Sequence, residues 1–448
     1  MEKLLTDANS LYTPASATTL QDSHIPQQAT FVREKQMVYL RTQENLTISF
    51  DGGTTRKPQS VYTMHVITPD CRVLLYKGDQ SSAISHDAGY VKGLICDVSV
   101  LDDLGAWRFA GVVSDNTGNV KKGRQEATKL NPSVINLQDS VHQLHNTCKD
   151  IAKLETFDAN KGDMDYFRSG QTSFMWLQLE LTKIVAILEP IARSIKCFKL
   201  LHTTPADVMV FWMAALASYE KILSSSVLKL PRSIVEDIRA ILNKQFNEMT
   251  KDAPSDCYAA TFLLEPRYRD ALANDKPNPF AHSFIIRTRH ASGGSDIPIK
   301  RSTLQHVGSY LVEVLLQNEY ALKDLRHPIL HSMPAGLASG ALNQQIIAYV
   351  RRDYPFNQDP ALGESTCDWW SNLVHHSGAS ILALLAVKLF SICSNSMADE
   401  HTMSVVTHLS PPITTRCSDA GGSDTDHDLY TEWARCAFHP DDAMQNKL

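Results

Sequence analysis

The stretch Asn45–Tyr76, NLTISFDGGTTRKPQSVYTMHVITPDCRVLLY, decides the fold. Leu46, Ile48 and Phe50 alternate with Thr47 and Ser49, the period-two pattern of a strand. That strand is predicted to end at Asp51, where Gly52-Gly53 breaks it. Val61–Thr68 reads as a second strand closed by Pro69-Asp70, and Cys71–Tyr76 as a third, close enough to form a hairpin. Further along, Tyr90–Leu104 has apolar residues at helical spacing. Phe109–Val113 is a short strand ending at Ser114-Asp115, and Gly118–Leu130 is helical and basic. Val134–Leu137 is a fifth strand and Val141–Phe157 is helical again. The order β-β-β-α-β-α-β-α, with right-handed crossovers after the hairpins, implies a mixed five-stranded sheet covered by helices. A sheet order of 3-2-1-4-5 would make the first and fourth strands parallel neighbours. Asp51 and Asp115 would then stand together at the C-terminal edge, where ligands of open α/β sheets collect.

The chain has 448 residues, of which 43% are apolar. At roughly 100–200 residues per domain this suggests two to four units with a sizeable core. No stretch reaches the ~20 apolar residues of a membrane span. The best candidate, Ile381–Phe390, contains Lys388. The opening MEKLLTDANSLYTP lacks an apolar core, so no secretory signal is expected. Nine cysteines are widely spaced without a CxxC, which points to a reduced intracellular protein without a zinc ribbon. The net charge of −6 is concentrated at the end, where seven acids from Asp419 onward face Arg435 and Lys447. The body is therefore near neutral, with no general basic surplus for nucleic acid.

Around the sheet, residues 1–43 read as a polar arm with a short amphipathic run at Ala29–Leu40, and 44–157 as the α/β core. Residues 158–365 read as a helical insertion, with Ser173–His202, Pro205–Leu223, Arg232–Thr250, Ser302–Tyr320 and Leu337–Val350 as its helices. In 366–416 the strongest helix spans Trp369–Ser394. The acidic tail 417–448 is expected to be disordered.

Two carboxylates brought close repel, and a divalent cation relieves that repulsion, as in sites that clamp a phosphodiester between two metals. Asp399 and Glu400, in SNSMADEHTMS, offer a third acid, although Ser396 and Asp399 also fit a helix capping box. His142 and His145, three apart on a helix, could be metal ligands, but no Cys or acid partner in the sequence completes such a site, and they read as structural histidines. The aromatics of VMVFWMA (208–214) and Trp369-Trp370 read as core, and Lys121, Lys122 and Arg124 as a solvated basic face.

Six runs occur in series: NLTISFDGGTTRKPQSVYTMHVITPD, FAGVVSDNTGNVKKGR, LQDSVHQLHNTCKDI, TPADVMVFWMA, DWWSNL and LLAVKLFSICSNSMADEHTMS. Together, over about residues 10–410, they resemble the hAT transposase superfamily. The likeness is to its fungal branch, with the domain of unknown function 659 and a C-terminal dimerisation region. The resemblance implies a ribonuclease-H-like sheet interrupted by a large all-helical insertion, with C-terminal helices returning to the sheet. It implies that Asp51, Asp115 and Glu400 are the catalytic acids, holding Mg²⁺ or Mn²⁺ for DNA strand cleavage and transfer. His142 matches a histidine of the family, and Ile381–Phe390 matches a helix used in homodimerisation. A nuclear location, DNA as partner and no membrane association follow from the same likeness.

The chain also departs from the family pattern. His401 stands where Arg usually follows the glutamate, His408 where a Trp is usual, and Val141 where a Cys is common. No zinc-finger module leads the first strand. Weak, salt-sensitive and nonspecific DNA binding with low or absent cleavage is therefore expected. The alternative is a non-enzymatic descendant that works by dimerisation and by protein or DNA binding.

Overall fold

The computed structural model describes residues 16–55, 60–80, 86–96, 104–154, 172–198, 203–225, 227–250, 253–268 and 306–409. The acidic tail lies outside them. Helix α1 (Ile25–Leu40) leads into a sheet of β1 (Leu46–Thr54), β2 (Ser60–Ile67), β3 (Val73–Gln80), β4 (Phe109–Ser114) and β5 (Ile135–Gln138). The sheet order is β3-β2-β1-β4-β5. β1 pairs antiparallel with β2 and parallel with β4, and β4 is parallel to β5. The chain is thus α/β with a mixed five-stranded sheet, as the alternation of hairpins and crossovers predicts.

The strand pattern predicts β1 correctly up to Asp51 and then fails. Gly52 and Gly53 do not break the strand; they pair with Tyr62 and Val61 of β2, and β1 runs to Thr54. The reason is close approach. A Cβ on Gly52 would lie 2.7 Å from the Tyr62 ring, and one on Gly53 would lie 2.5 Å from Met403 Cε. The two glycines admit neighbours that a side chain would exclude.

Both faces of β1 are covered. Leu46, Ile48 and Phe50 face a core shared with Met64, Val66 and Val112. That core is closed by α2 (Ala88–Cys96) and α3 (Gly118–Leu130), which carry Val91, Ile95, Val120 and Ala127 into it. Gly123 of α3 lies against Val91, where a Cβ would sit 2.6 Å from the Val91 Cβ. On the other face Thr47 and Ser49 are fully buried polar residues that meet the C-terminal segment. The helix predicted over Tyr90–Leu104 is α2, and residues 97–103 lie outside the described ones.

β4 and β5 share a second core with the helices that follow. These are α4 (Ser140–Ala152), α5 (Thr172–Phe198), α6 (Pro205–Ser224), α7 (Arg232–Thr250), α8 (Cys257–Leu264), a helical stretch at 306–321, and α9 (Ala335–Arg351). Trp212 and Trp370 are fully buried in it, in keeping with their reading as core. No helix of the described residues is long and apolar enough to cross a membrane.

The predicted helix Trp369–Ser394 is two helices, α10 (Thr366–Leu373) and α11 (Ser380–Phe390). The break falls at the polar run His375-His376-Ser377-Gly378, where Ala379 N–H donates to the His376 carbonyl in a turn. The apolar face expected for a second copy is also absent from α11. Ile381, Leu382, Ala383, Leu385, Ala386 and Leu389 are fully buried within the chain, and Leu384 and Val387 are half-buried against the same core. Each buried Leu or Ile contributes about 1.5–3 kcal/mol, so α11 is a core helix. Its one charge, Lys388, is buried on Glu319. Homodimerisation through α11 therefore loses its surface. The last helix, α12 (Met397–Leu409), packs on β1 and β2.

Candidate functional site

The parallel register sets Ser49 beside Val113. Two residues on, with the same facing, come Asp51 in β1 and Asp115 just after β4. Asp115 is half-buried, and its carboxyl is pushed above the usual range first by burial and then by the Asp51 charge. The Tyr62 phenol is likewise pushed up, by burial and then by Asp115 and Asp51, so one ring senses both aspartates. Asp51 Oδ1 accepts the Gly52 N–H at 2.8 Å, and Asp115 Oδ1 accepts the Thr117 hydroxyl at 3.2 Å.

Glu400 arrives from α12. Its Oε1 lies 3.6 Å from His142 Nε2, and Asp51 Oδ2 lies 3.7 Å from the same nitrogen. The two carboxylates therefore flank one imidazole near the N-terminus of α4. Both distances are ion-pair distances, too long for hydrogen bonds, and His142 Nε2 is buried without a hydrogen-bond partner. The facing Asp51 carboxylate pushes His142 up to about 9; burial opposes this, and Asp139, Asp51 and Glu400 add through their charge. The ring is thus a cation at neutral pH. His142, His145 and Glu400 have ligand atoms that all lie within 4.8 Å of one another.

Asp399 and Glu400 point in different directions, as successive helical residues do. Asp399 is fully buried and accepts from Thr63 Oγ1 at 2.9 Å and His65 Nδ1 at 2.6 Å, and from Ser49 Oγ. Burial pushes its carboxyl up, and His65, Ser49 and Thr63 oppose that shift. His65 Nε2 in turn meets Thr402 Oγ1 at 2.9 Å. This buried network ties α12 to β1 and β2 and so fixes where Glu400 can reach. The capping box read from Ser396 and Asp399 is not formed, because the Asp399 side chain serves the sheet.

Ser396 has another partner. Asp139, the N-cap of α4, accepts from Val141 N at 2.6 Å and His142 N at 3.0 Å through Oδ1. Its Oδ2 accepts Ser396 N at 2.7 Å and the Ser396 hydroxyl. One carboxylate therefore clips the helix carrying His142 to the segment carrying Glu400. The sequence signal for this role is an N-cap Asp ahead of an amphipathic helix, which announces the cap but not the second partner.

Arg124 corrects the solvated basic face. It is fully buried. It donates to Asn136 Oδ1 at 2.5 Å, to the Ser114 carbonyl at 3.1 Å and hydroxyl, and to the Asp115 carbonyl at 2.7 Å. Burial pulls its pKa down to about 10, and it is still charged at neutral pH. It thereby holds the backbone that presents Asp115. Lys122 is exposed and Lys121 half-exposed on the same helix.

Among the residues expected in the site, Asp51 and Glu400 meet across His142, and Asp115 shares the field of Asp51 and His142. Comparison of the chain with known protein families and with curated proteins gives no match.

Proposed function

We propose that this chain is a hAT-transposase-like protein whose sheet is a ribonuclease-H-like core acting on DNA phosphodiesters. The observation that carries the reading is the meeting of carboxylates from β1, the end of β4 and α12 at one sheet edge around His142. Their oxygens form the donor set that hard divalent cations take, and Asp115 is raised by burial and then by the Asp51 charge, which such a cation would offset. Asp51, Asp115 and Glu400 would hold Mg²⁺ or Mn²⁺. When bound, such ions polarise the phosphoryl oxygens and lower the pKa of the attacking water or hydroxyl. The protein's own part is positioning: Arg124 holds the Asp115 backbone, and Asp139 and Asp399 fix α12 so that Glu400 faces His142 and, across it, Asp51. Lys121 and Lys122 of α3, the basic groups nearest the site in sequence that reach solvent, would meet a phosphate backbone. A nuclear location accords with this reading. The family's Arg is replaced by His401, which is exposed, so the phosphate or carboxylate that an Arg would hold as a fork has no such partner here. Cleavage is accordingly slow.

One observation favours the non-enzymatic alternative. The His142 imidazolium already supplies counter-charge to Asp51 and Glu400. Nicking of supercoiled plasmid by the full chain separates the two readings. The expected result is slow nicking that needs Mg²⁺ or Mn²⁺ and is lost in Asp115→Asn. Nicking that persists with chelator, or equally in Asp115→Asn, would reject the proposed site. Salt-sensitive DNA binding without nicking would support the alternative.

A further inference from the structure

We infer that His142, His145 and Glu400 form a binding site for a borderline divalent transition cation of the Zn²⁺, Co²⁺ and Ni²⁺ type, distinct in donor chemistry from the all-carboxylate set. The inference shares Glu400 with the function proposed above but does not require that DNA is cut.

Three observations carry it. First, the donors converge: ligand atoms of His142, His145 and Glu400 all lie within 4.8 Å of one another. The two histidines are three apart on α4 and so share one face of that helix, and the Asp399 network brings the acid from α12. Second, His142 Nε2 is buried without a hydrogen bond, although two carboxylate oxygens face it at 3.6 and 3.7 Å. Those separations are wrong for hydrogen bonds and right for ligands of one ion. Two donors each about 2.1 Å from a tetrahedral cation stand about 3.4 Å apart. Third, the donor types select the metal. Imidazole nitrogens with a carboxylate suit borderline cations, whereas Mg²⁺ and Ca²⁺ take oxygen sets. Glu400 has two oxygens, so it can face this site and the aspartates together. Asp51 Oδ2, at 3.7 Å from the same nitrogen, is placed as a fourth neighbour.

The test is a Co²⁺ titration of the full chain near pH 7.5, followed by visible absorption, which distinguishes nitrogen and oxygen ligands from thiolates. The chain has nine cysteines, so this distinction matters. The expected result is one equivalent bound at micromolar Co²⁺, with the His142 proton released to solvent on binding, and without thiolate charge-transfer bands. The expected loss in His145→Ala is about tenfold or more in affinity, of the size that outer partners of a metal site already command. His145 is half-exposed, so His145→Ala and the milder His145→Asn should both keep the wild-type circular dichroism. Glu189→Gln, which removes an exposed acid on α5 away from both sets, should bind Co²⁺ as the wild type does. No binding by the wild type, thiolate bands, or wild-type affinity in both His145 variants would overturn the inference. If Co²⁺ binds as expected while plasmid is never nicked, the proposed function fails and the site stands. If nicking proceeds without this Co²⁺ signature, the reverse holds.

Discussion

A neutral ring at position 142 would leave Asp51 and Glu400 facing an uncharged group, and the structure instead sets the Nε2 between them. Its pKa of about 9 against an ordinary 6.5 has a thermodynamic consequence. The folded state holds the proton more tightly than the unfolded chain. The stabilisation is therefore fully present below about 6.5 and is lost as pH rises through about 9. An NMR titration of the His142 imidazole, with metal removed, should give a midpoint near 9, moved down toward 6.5 in Asp51→Asn and in Glu400→Gln. A wild-type midpoint near 6.5 would contradict the geometry. At this scale the sequence shows the types of residue well and their surroundings poorly. Asp51 and Asp115 are legible because each follows a recognisable apolar strand. Arg124 is not, because nothing in GNVKKGRQEATKL tells the one buried guanidinium from the solvent-reaching lysines two and three residues before it. Its burial depends on Asn136, Ser114 and Asp115, on and just after the flanking strands, which meet it only once β4, α3 and β5 have packed.

Among the elements, β1 closes on β2 at Gly52 and on α12 at Gly53. Gly52→Ala would drive a Cβ to 2.7 Å from the Tyr62 ring, whereas Gly53→Ala would clash with the terminal methyl of Met403 and touch the rest of that side chain only at ordinary contact distance. The stiff Tyr62 ring, which also packs against His86 and Tyr90, yields less readily than the end of a flexible Met. Gly52→Ala should therefore destabilise by about 1–3 kcal/mol in urea unfolding and Gly53→Ala by clearly less. Equal costs would show that Tyr62 is free to move. Glycine pairs ordinarily read as breaks, so the local rule ends β1 three residues early; the tertiary contact that keeps the strand going is invisible in a window of ten residues. The same limit explains the helix read through Trp369–Ser394. Apolar spacing runs across the break, and only the turn at His376–Ala379 divides it.

For the whole molecule, strand order was the most legible feature. Tight hairpins and right-handed crossovers leave few arrangements of five strands, and β3-β2-β1-β4-β5 is the one observed. That order alone makes β1 and β4 parallel neighbours and sets Asp51 beside Asp115. The remaining part of the site depends on long-range closure. Asp139 reaches Ser396 across 257 positions, and Asp399 reaches Ser49 across 350. Periodicity carries no information at such separations, so only the family resemblance, and no local pattern, points to Glu400 as the third acid. The helical segment closes over β4 and β5 as part of one continuous core, which holds α11 and the start of α12 against the sheet.

The direct measurement of whether Asp51, Asp115 and Glu400 act as one site is a Mn²⁺ titration of the full chain by electron paramagnetic resonance, where bound ion loses the signal of the free ion. The expected result is Mn²⁺ binding in the wild type that weakens at least about tenfold in each of Asp51→Asn, Asp115→Asn and Glu400→Gln, with folding retained. Mn²⁺ binding that is the same in all three variants as in the wild type would contradict it.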